Sequence, residues 1–440
     1  MPNVNRLLRL CEFSLLFCVL ALQIHLLGSE LGSQQGHDAF QFFEVVDHVS
    51  PGKLLPGTRE CFNCFHPPFS FFSVKILSLL VGNVPLSSQI FSWVSMLFAF
   101  LLLRASLKRM GVLSSLEGIV FLYLSSALPI FIFLSTASDY EPAAYFFTML
   151  SLYFSTALYW NSAGEKLSAR RLILLCALLL SFTGGLLNKY TGLLSFAIPF
   201  CIVLVRNPEV LWKTMKEQLV VFLIVALLIS PLYISRNFAQ EGDLFPMNMS
   251  WLKRIELAKQ RSIRNEDVIG FFTHTMRIPR KFFSERTSPI QDSVIHRVWL
   301  QTWIREKYIG GLQSPLSDLI STFYYFFFLV PVTAGSLLFI IRSRSHTDAF
   351  HSFGKVLFAL SCIFFLAMLA FIFKYPVWNW GVIKAKYIAP ALLWMPFAVA
   401  YCVHYILHIK MFSRFRPLIM SGSLALLLLF VFLNYTVPIY

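Results

Sequence analysis

Six short groups of ionisable and polar residues stand at the ends of apolar runs: Gly36-His37-Asp38, His66-Pro67-Pro68, Asp139-Tyr140-Glu141, Asn188-Lys189-Tyr190, Arg236-Asn237 and Lys384-Ala385-Lys386-Tyr387. Carboxylates and cations at a lipid–water boundary are costly unless they are paired or used. A gathering of both signs points to an anionic substrate whose reacting group also needs a base. Each group has a plainer reading as well. Asp38 and Asp139 suit the N-cap of the segments they precede, and Pro67-Pro68 would open a helix in any protein. Arg236 could be an interfacial anchor that snorkels to headgroups, and Lys189 the one polar residue of a tight turn.

The elements that must position these groups follow from composition. Of 440 residues, 57% are hydrophobic and only 13% charged, about half the charged share of a soluble domain. Apolar runs near the ~20 residues needed to cross a bilayer recur along the whole chain. They predict an all-α polytopic membrane protein with about eleven spans, near 10 to 27, 87 to 106, 112 to 132, 143 to 160, 171 to 187, 190 to 206, 219 to 234, 320 to 341, 353 to 373, 387 to 408 and 417 to 437. Disorder and coiled coil are excluded, because Phe alone occurs 46 times and no heptad or low-complexity stretch is sustained.

The net charge of +15 would suggest nucleic acid in a soluble protein. Here its distribution explains it. With the N-terminus inside, the inner segments hold Arg6, Arg9, Arg104, Lys108, Arg109, Lys166, Arg170, Arg171, Arg206, Lys213, Lys216, Arg342, Arg344, Lys355, Lys410, Arg414 and Arg416, against Glu165, Glu209, Glu217 and Asp348. Seventeen basic against four acidic residues is the asymmetry of the positive-inside rule, and it puts all six groups on the outer side. Arg6 and Arg9 before an apolar run resemble a signal peptide, but Glu12 interrupts the run and no small-residue cleavage site follows, so a retained first span is expected.

Two outer segments exceed a turn, residues 28 to 86 and 235 to 319. The expected organisation is an N-terminal membrane module over 1–234, whose first outer loop (28–86) carries the acidic site, an extracytoplasmic segment over 235–319, and C-terminal spans over 320–440. An amphipathic stretch from Asp38 to Val49 and an apolar segment after Pro68 read as interfacial helices, since a crossing there would invert every later basic loop. Six cysteines fall in or beside spans. Cys61 and Cys64 lie in the first outer loop, where a loop-pinning disulfide and an unremarkable reduced pair are both open. His274 and His296 read as solvated or packed, Glu117 as paired with another span, and the sequon at Asn248 matters only in a eukaryotic source.

The motifs, in this order and on one side, resemble the GT-C class of membrane glycosyltransferases, particularly the branch of protein O-mannosyltransferases and lipid A aminoarabinose transferases. The resemblance covers nearly all of the predicted membrane region. It rests on acidic Asp38 after the first span, His66-Pro67-Pro68, Asp139 before Glu141-Pro142-Ala143, Lys189 to Leu194, Ile234-Ser235-Arg236-Asn237, and Lys386-Tyr387-Ile388-Ala389-Pro390. Three departures are visible: Asp38-Ala39 where the class often has Asp-Glu, His66 where a Lys often precedes Pro-Pro, and no large soluble domain expected after the last predicted span.

What the resemblance implies is an inverting transfer from a polyprenyl-phosphate sugar to an acceptor hydroxyl of a glycolipid, glycan or protein, at the outer face of a bacterial inner membrane rather than the endoplasmic reticulum. On that basis Asp38 is the expected base. Arg236, Lys189 and His66, with Lys384 or Lys386, would face the leaving phosphate, and Asp139 and Glu141 would hold sugar hydroxyls or orient the cations. His37 and Asn237 complete the expected binding set. No cofactor is expected, and no metal, because the cations beside the carboxylates make one unnecessary. The competing class is a lipid-linked sugar transporter or flippase, and a structural membrane subunit is the weaker third.

The topology generates a test. Single cysteines at Lys53 and Ser345, in a background lacking Cys61 and Cys64, are expected to react with an impermeant thiol reagent from opposite sides of the membrane; labelling from one side would refute the orientation.

Overall fold

The computed structural model describes residues 2–29, 39–50, 53, 55–61, 63–161, 168–242, 244, 298–299, 302–303, 315–343, 347–374, 385–409 and 422. Among them the regular structure is helical, with α1 (Pro2–Ser29), α2 (Ala39–His48), α3 (Phe69–Val81), α4 (Val84–Met110), α5 (Leu116–Ala127), α6 (Pro129–Thr136), α7 (Glu141–Tyr159), α8 (Ala169–Asn188), α9 (Ala197–Arg206), α10 (Leu211–Ile229), α11 (Ser235–Glu241), α12 (Pro315–Arg342), α13 (Ala349–Lys374), α14 (Ala389–Leu392) and α15 (Trp394–His408). The chain is an all-α polytopic membrane protein. Of the eleven predicted intervals, ten fall on helix, and 417 to 437, apart from residue 422, lies outside the described residues. Among the described residues, only α4, α8, Ala349–Phe371 and Ala385–His408 are each long and apolar enough to cross a membrane alone.

Local sequence sets the helix ends. The Asn83 carboxamide accepts from Leu86 N–H at 2.8 Å to open α4. Gly111, at φ 80°, closes the same helix by donating its N–H to Leu107 and Lys108 carbonyls, the left-handed cap that glycine adopts at no steric cost. Ser168 caps α8 through Arg171 N–H at 3.2 Å. Three interruptions were not expected within single spans. Pro129 separates α5 from α6 with a 46° bend inside the interval 112 to 132, because proline removes a donor and its ring clashes with the preceding turn. A 3-10 stretch, Tyr190–Phe196, precedes α9. Pro231 falls in a π-turn, Ser230–Ile234, between α10 and α11.

Contacts divide the chain into two compact units that are not contiguous in sequence: one of Met1–Val19, Leu113–Phe133 and Ala258–Tyr440, the other of Leu20–Val112 and Leu134–Leu257. In the first, α15 packs on α5, α12 and α13 around the buried rings of Phe121, Phe339, Phe353, Phe397 and Tyr401. Gly335 lets α12 approach α15 closely, since a Cβ there would meet the Ala398 backbone.

In the second unit, α7 packs against α4, α8 and α9. Lipid gives helices no hydrophobic reason to associate, so small residues and hydroxyl pairs do the joining. Ser88, Ser92, Ser95, Ala99 and Ser106 of α4 are buried along one stripe. The Ser151 and Ser181 hydroxyls join α7 to α8 at 3.0 Å, and Thr148 reaches Ser195 at 3.2 Å. Helices α2 and α3, 10 and 13 residues long, would extend only about 15 and 20 Å, too short for a core of about 30 Å. Helix α2 buries Phe42, Val45 and Val46 against Phe71 and Val74 of α3, together with Cys61, Cys64 and Tyr140.

Between α8 and the following 3-10 stretch the backbones themselves touch. A Cβ on Gly192 would collide with the main chain of Gly185 and Leu186, whereas one on Gly184 would meet the Phe147 ring. Backbone cannot give way and a ring can, so Gly192→Ala is expected to destabilise by about 1–3 kcal/mol and Gly184→Ala by less. Thermal unfolding of the two variants in nanodiscs checks the order.

Candidate functional site

Within the second unit, the start of α7 and the end of α8 bring several of the expected residues together. Asp139 is 2% exposed, and its carboxylate accepts from the Tyr140 N–H at 2.7 Å and, more weakly, the Glu141 N–H at 3.4 Å. Pro142 follows in the first turn, where its missing N–H leaves no bond unmade. Asp139 thus serves the helix start, and its burial sets it apart from a solvated cap.

Glu141 is equally buried, and its carboxylate receives the Lys189 ammonium in a direct ion pair. Lys189 sits in extended backbone between α8 and the 3-10 stretch, its N–H bonded to Gly185 O at 2.9 Å and its carbonyl to Gly192 N–H at 2.9 Å. The ammonium also lies 4.8 Å from the Tyr140 ring centroid, a cation–π distance. The neighbouring Asn188, 1% exposed, donates to Tyr140 O at 2.9 Å and accepts from the Ser70 hydroxyl of α3. His66 Nε2 stands 3.3 Å from the Tyr140 hydroxyl, with the two rings 4.7 Å apart. Asp139, Glu141, Lys189 and His66 therefore surround or adjoin one tyrosine, Tyr140.

Arg236 is placed differently. Its guanidinium donates to the carbonyls of Pro56 at 2.8 Å, Cys64 at 3.3 Å and Phe65 at 3.4 Å, and to the Asn237 side-chain oxygen at 2.7 Å. Burial pushes its pKa below the ordinary value, although arginine stays charged in proteins. Asn237, fully buried, donates in turn to Leu244 O at 3.3 Å. The same loop is held by Thr58, whose N–H and hydroxyl reach Gln240 at 2.8 and 3.1 Å, and by the exposed pair Arg59–Glu241 at 3.0 Å. Cys61 and Cys64 are joined in a disulfide across a Cα separation of 5.1 Å, which settles the alternative that the sequence left open.

Tyr233 and Tyr190 extend this network, and neither stood among the expected site residues. Tyr233, on the π-turn, donates to Phe65 O at 2.6 Å and its hydroxyl meets that of Tyr190. The signal for Tyr233 was Pro231 two residues before it, since π-turns recur at functional sites and re-aim the side chains they carry. His37, Asp38 and Lys384 lie outside the described residues. Lys386 belongs to the other compact unit, where it is buried with its ammonium 5.6 Å from the Tyr387 ring.

The set contains two buried carboxylates, one buried ammonium and one imidazole, carried by the 63–68 segment, the start of α7 and the end of α8. Glu141 and Lys189 form one ion pair within it, and Asp139 binds the first N–H groups of α7. Such a set can grip hydroxyls and orient a polar head at the edge of a bundle. It supplies charge only where the pair directs it.

No protein-family model and no curated protein matches the sequence. Among solved structures, the archaeal oligosaccharyltransferase AglB from Archaeoglobus fulgidus, in complex with an inhibitory peptide and a dolichol-phosphate, is similar over 96% of this chain and 54% of its own, with a TM-score of 0.52 and 13% identity. ArnT from Cupriavidus metallidurans in the apo state matches 88% of this chain and 76% of its own, with a TM-score of 0.41 and 14% identity. The chain thus shares its membrane fold with the archaeal oligosaccharyltransferase and spans about half of that protein's length.

Removing one member of a buried ion pair strands the other, at a cost of about 3–5 kcal/mol, whereas removing both costs less. Glu141→Gln and Lys189→Met are each expected to lower the unfolding temperature strongly, and the double variant to recover part of the loss. Additive losses in unfolding experiments would show that the pair is not coupled.

Proposed function

We propose that the chain is an inverting glycosyltransferase that moves a sugar from a polyprenyl-phosphate donor to an acceptor hydroxyl on the extracytoplasmic side of the membrane. The observation that carries the reading is the buried charged cluster at the start of α7, built from Asp139, Glu141 and Lys189, in a fold shared with a protein that binds dolichol-phosphate. Dolichol-phosphate is a polyprenyl phosphate, and its membrane-bound chain and anionic head match what an apolar bundle with charged ends can hold.

In this reading Asp38 takes the proton from the acceptor hydroxyl as it attacks the anomeric carbon. The bond to the phosphate oxygen breaks, and the phosphate leaves as an anion, so that no proton donor is needed on that side. In-line attack inverts the anomeric centre. Asp139 holds sugar hydroxyls, and Glu141 fixes the Lys189 ammonium so that its charge points one way. Arg236 and Asn237 hold the 56–65 loop, and through it His66, in place for the donor. Lys384 and Lys386 stay as candidate phosphate ligands on the strength of their motif, and His37 as a neighbour of the base. The acceptor is a glycolipid, glycan or protein, and the membrane a bacterial inner membrane.

A second reading, a flippase for lipid-linked sugars, draws on the breaks at Pro129 and Pro231, because interrupted helices line the substrate sites of transporters. The two readings separate in reconstituted vesicles. With a radiolabelled polyprenyl-phosphate sugar and an acceptor, the enzyme makes labelled product and free polyprenyl phosphate, while a flippase only moves the lipid between leaflets.

Asp38→Asn keeps the shape and the capping capacity but is a very poor base. It is expected to lower turnover by about 10²- to 10⁴-fold with donor binding little changed. More than about a third of normal turnover would remove Asp38 from the mechanism, general-base contributions being far larger than that.

A further inference from the structure

The first compact unit contains a second group of ionisable side chains that the transfer chemistry does not use. Glu117, in the first turn of α5, is 6% exposed. Its carboxylate lies 2.6 Å from Nδ1 of His404 on α15, and it also meets the Ser115 hydroxyl. One turn further along α15, the ring of the exposed His408 lies 4.2 Å from that of His404, tilted by 36°. Glu117, His404 and His408 can each offer one oxygen or nitrogen such that all three atoms lie within 4.8 Å of one another.

We propose that these three residues form a zinc-class divalent metal site that clamps the start of α5 to the end of α15. The donor set, two imidazoles and one carboxylate, is one that zinc takes, with a water completing the tetrahedron. Histidines four residues apart lie on one face of a helix, which aims both rings at a common point. With metal–nitrogen bonds of about 2.0–2.1 Å, tetrahedral ligand atoms stand about 3.3 Å apart. The closest pair must therefore open by several tenths of an ångström and the widest close by about 1.5 Å. His408, at the exposed end of the helix, has the freedom to make the larger move.

Charge favours an ion here. A carboxylate buried in an apolar bundle is costly unless a full positive charge or a metal meets it, and imidazole ligates metal as a neutral ring. The adjacent histidine is not a competing ligand. His351 stands 5.4 Å from His404, ring to ring, and both its nitrogens are engaged, Nδ1 with Asp348 at 2.6 Å and Nε2 with the Tyr401 hydroxyl at 3.0 Å. Those bonds brace α13 against α15 beside the site. The three ligands lie apart in sequence from the Tyr140 cluster, so the inference stands whether or not the proposed transfer is right.

The test uses the full chain in nanodiscs, stripped with chelator and desalted. On titration with Co²⁺ it is expected to develop the intense visible bands of tetrahedral cobalt, which Zn²⁺ then displaces at about one ion per chain. His408→Gln changes an exposed side chain and leaves the fold intact. It is expected to weaken zinc binding by at least about tenfold, the scale seen even when only a ligand's supporting partner is lost, with the thermal unfolding of the stripped protein unchanged. Glu117→Gln is expected to abolish the cobalt bands. Absence of tetrahedral cobalt bands in the unmutated chain, or the same zinc affinity in His408→Gln, would overturn the site and leave a plain hydrogen-bonded tie between the helices.

Discussion

A packed protein interior cannot hydrate a charge, so a buried carboxylate and a buried ammonium must find each other, and Glu141 and Lys189 do so across 48 residues of sequence. Much of the second unit's charged end follows from that pairing. Lys189 meets Glu141 from extended backbone, at the point where α8 ends. The turn that results is tight enough for Gly185 and Gly192 to touch. Asn188, next in line, then ties Tyr140 to α3. The pair thus fixes the geometry of three helix ends at once, and its contribution to folding is positional more than energetic, since desolvation offsets much of the Coulomb gain.

Helix existence and membrane character were legible because lipid demands long apolar runs and closed backbone hydrogen bonding. The caps at Asn83 and Ser168 are written in the residue types. The amphipathic stretch from Asp38 to Val49 pointed to a helix there, and the structure shows Phe42, Val45 and Val46 as the buried face of α2. The interruptions were harder to see. Hydropathy is blind to a bend when both halves are apolar, as with α5 and α6, so Pro129 was the only local signal there, and Pro231 played the same part at the π-turn.

The candidate site was legible in its membership more than in its pairings. Residue types at one face marked Asp139, Glu141, Lys189 and His66, but nothing local reveals that Glu141 chooses Lys189, or that Tyr140 sits among them all. Arg236 is the instructive case. Its position at a span end suggested an anchor or a phosphate ligand, while its partners are carbonyls of a loop about 170 to 180 residues earlier. Such long-range bonds depend on how the chain returns on itself, which one sequence without a fold does not contain.

The way Arg236 grips that loop has a consequence for how the protein can vary. A guanidinium bound to main-chain carbonyls reads the path of the backbone and is indifferent to the side chains that hang from it. Pro56 and Phe65 could be exchanged for other residues without removing a single acceptor, provided the chain keeps its course, and the Cys61–Cys64 bridge helps it to do so. The loop that ends at His66 is therefore a place where selection can rewrite chemistry while the mounting stays the same, a form of modularity built from one arginine and a few peptide oxygens.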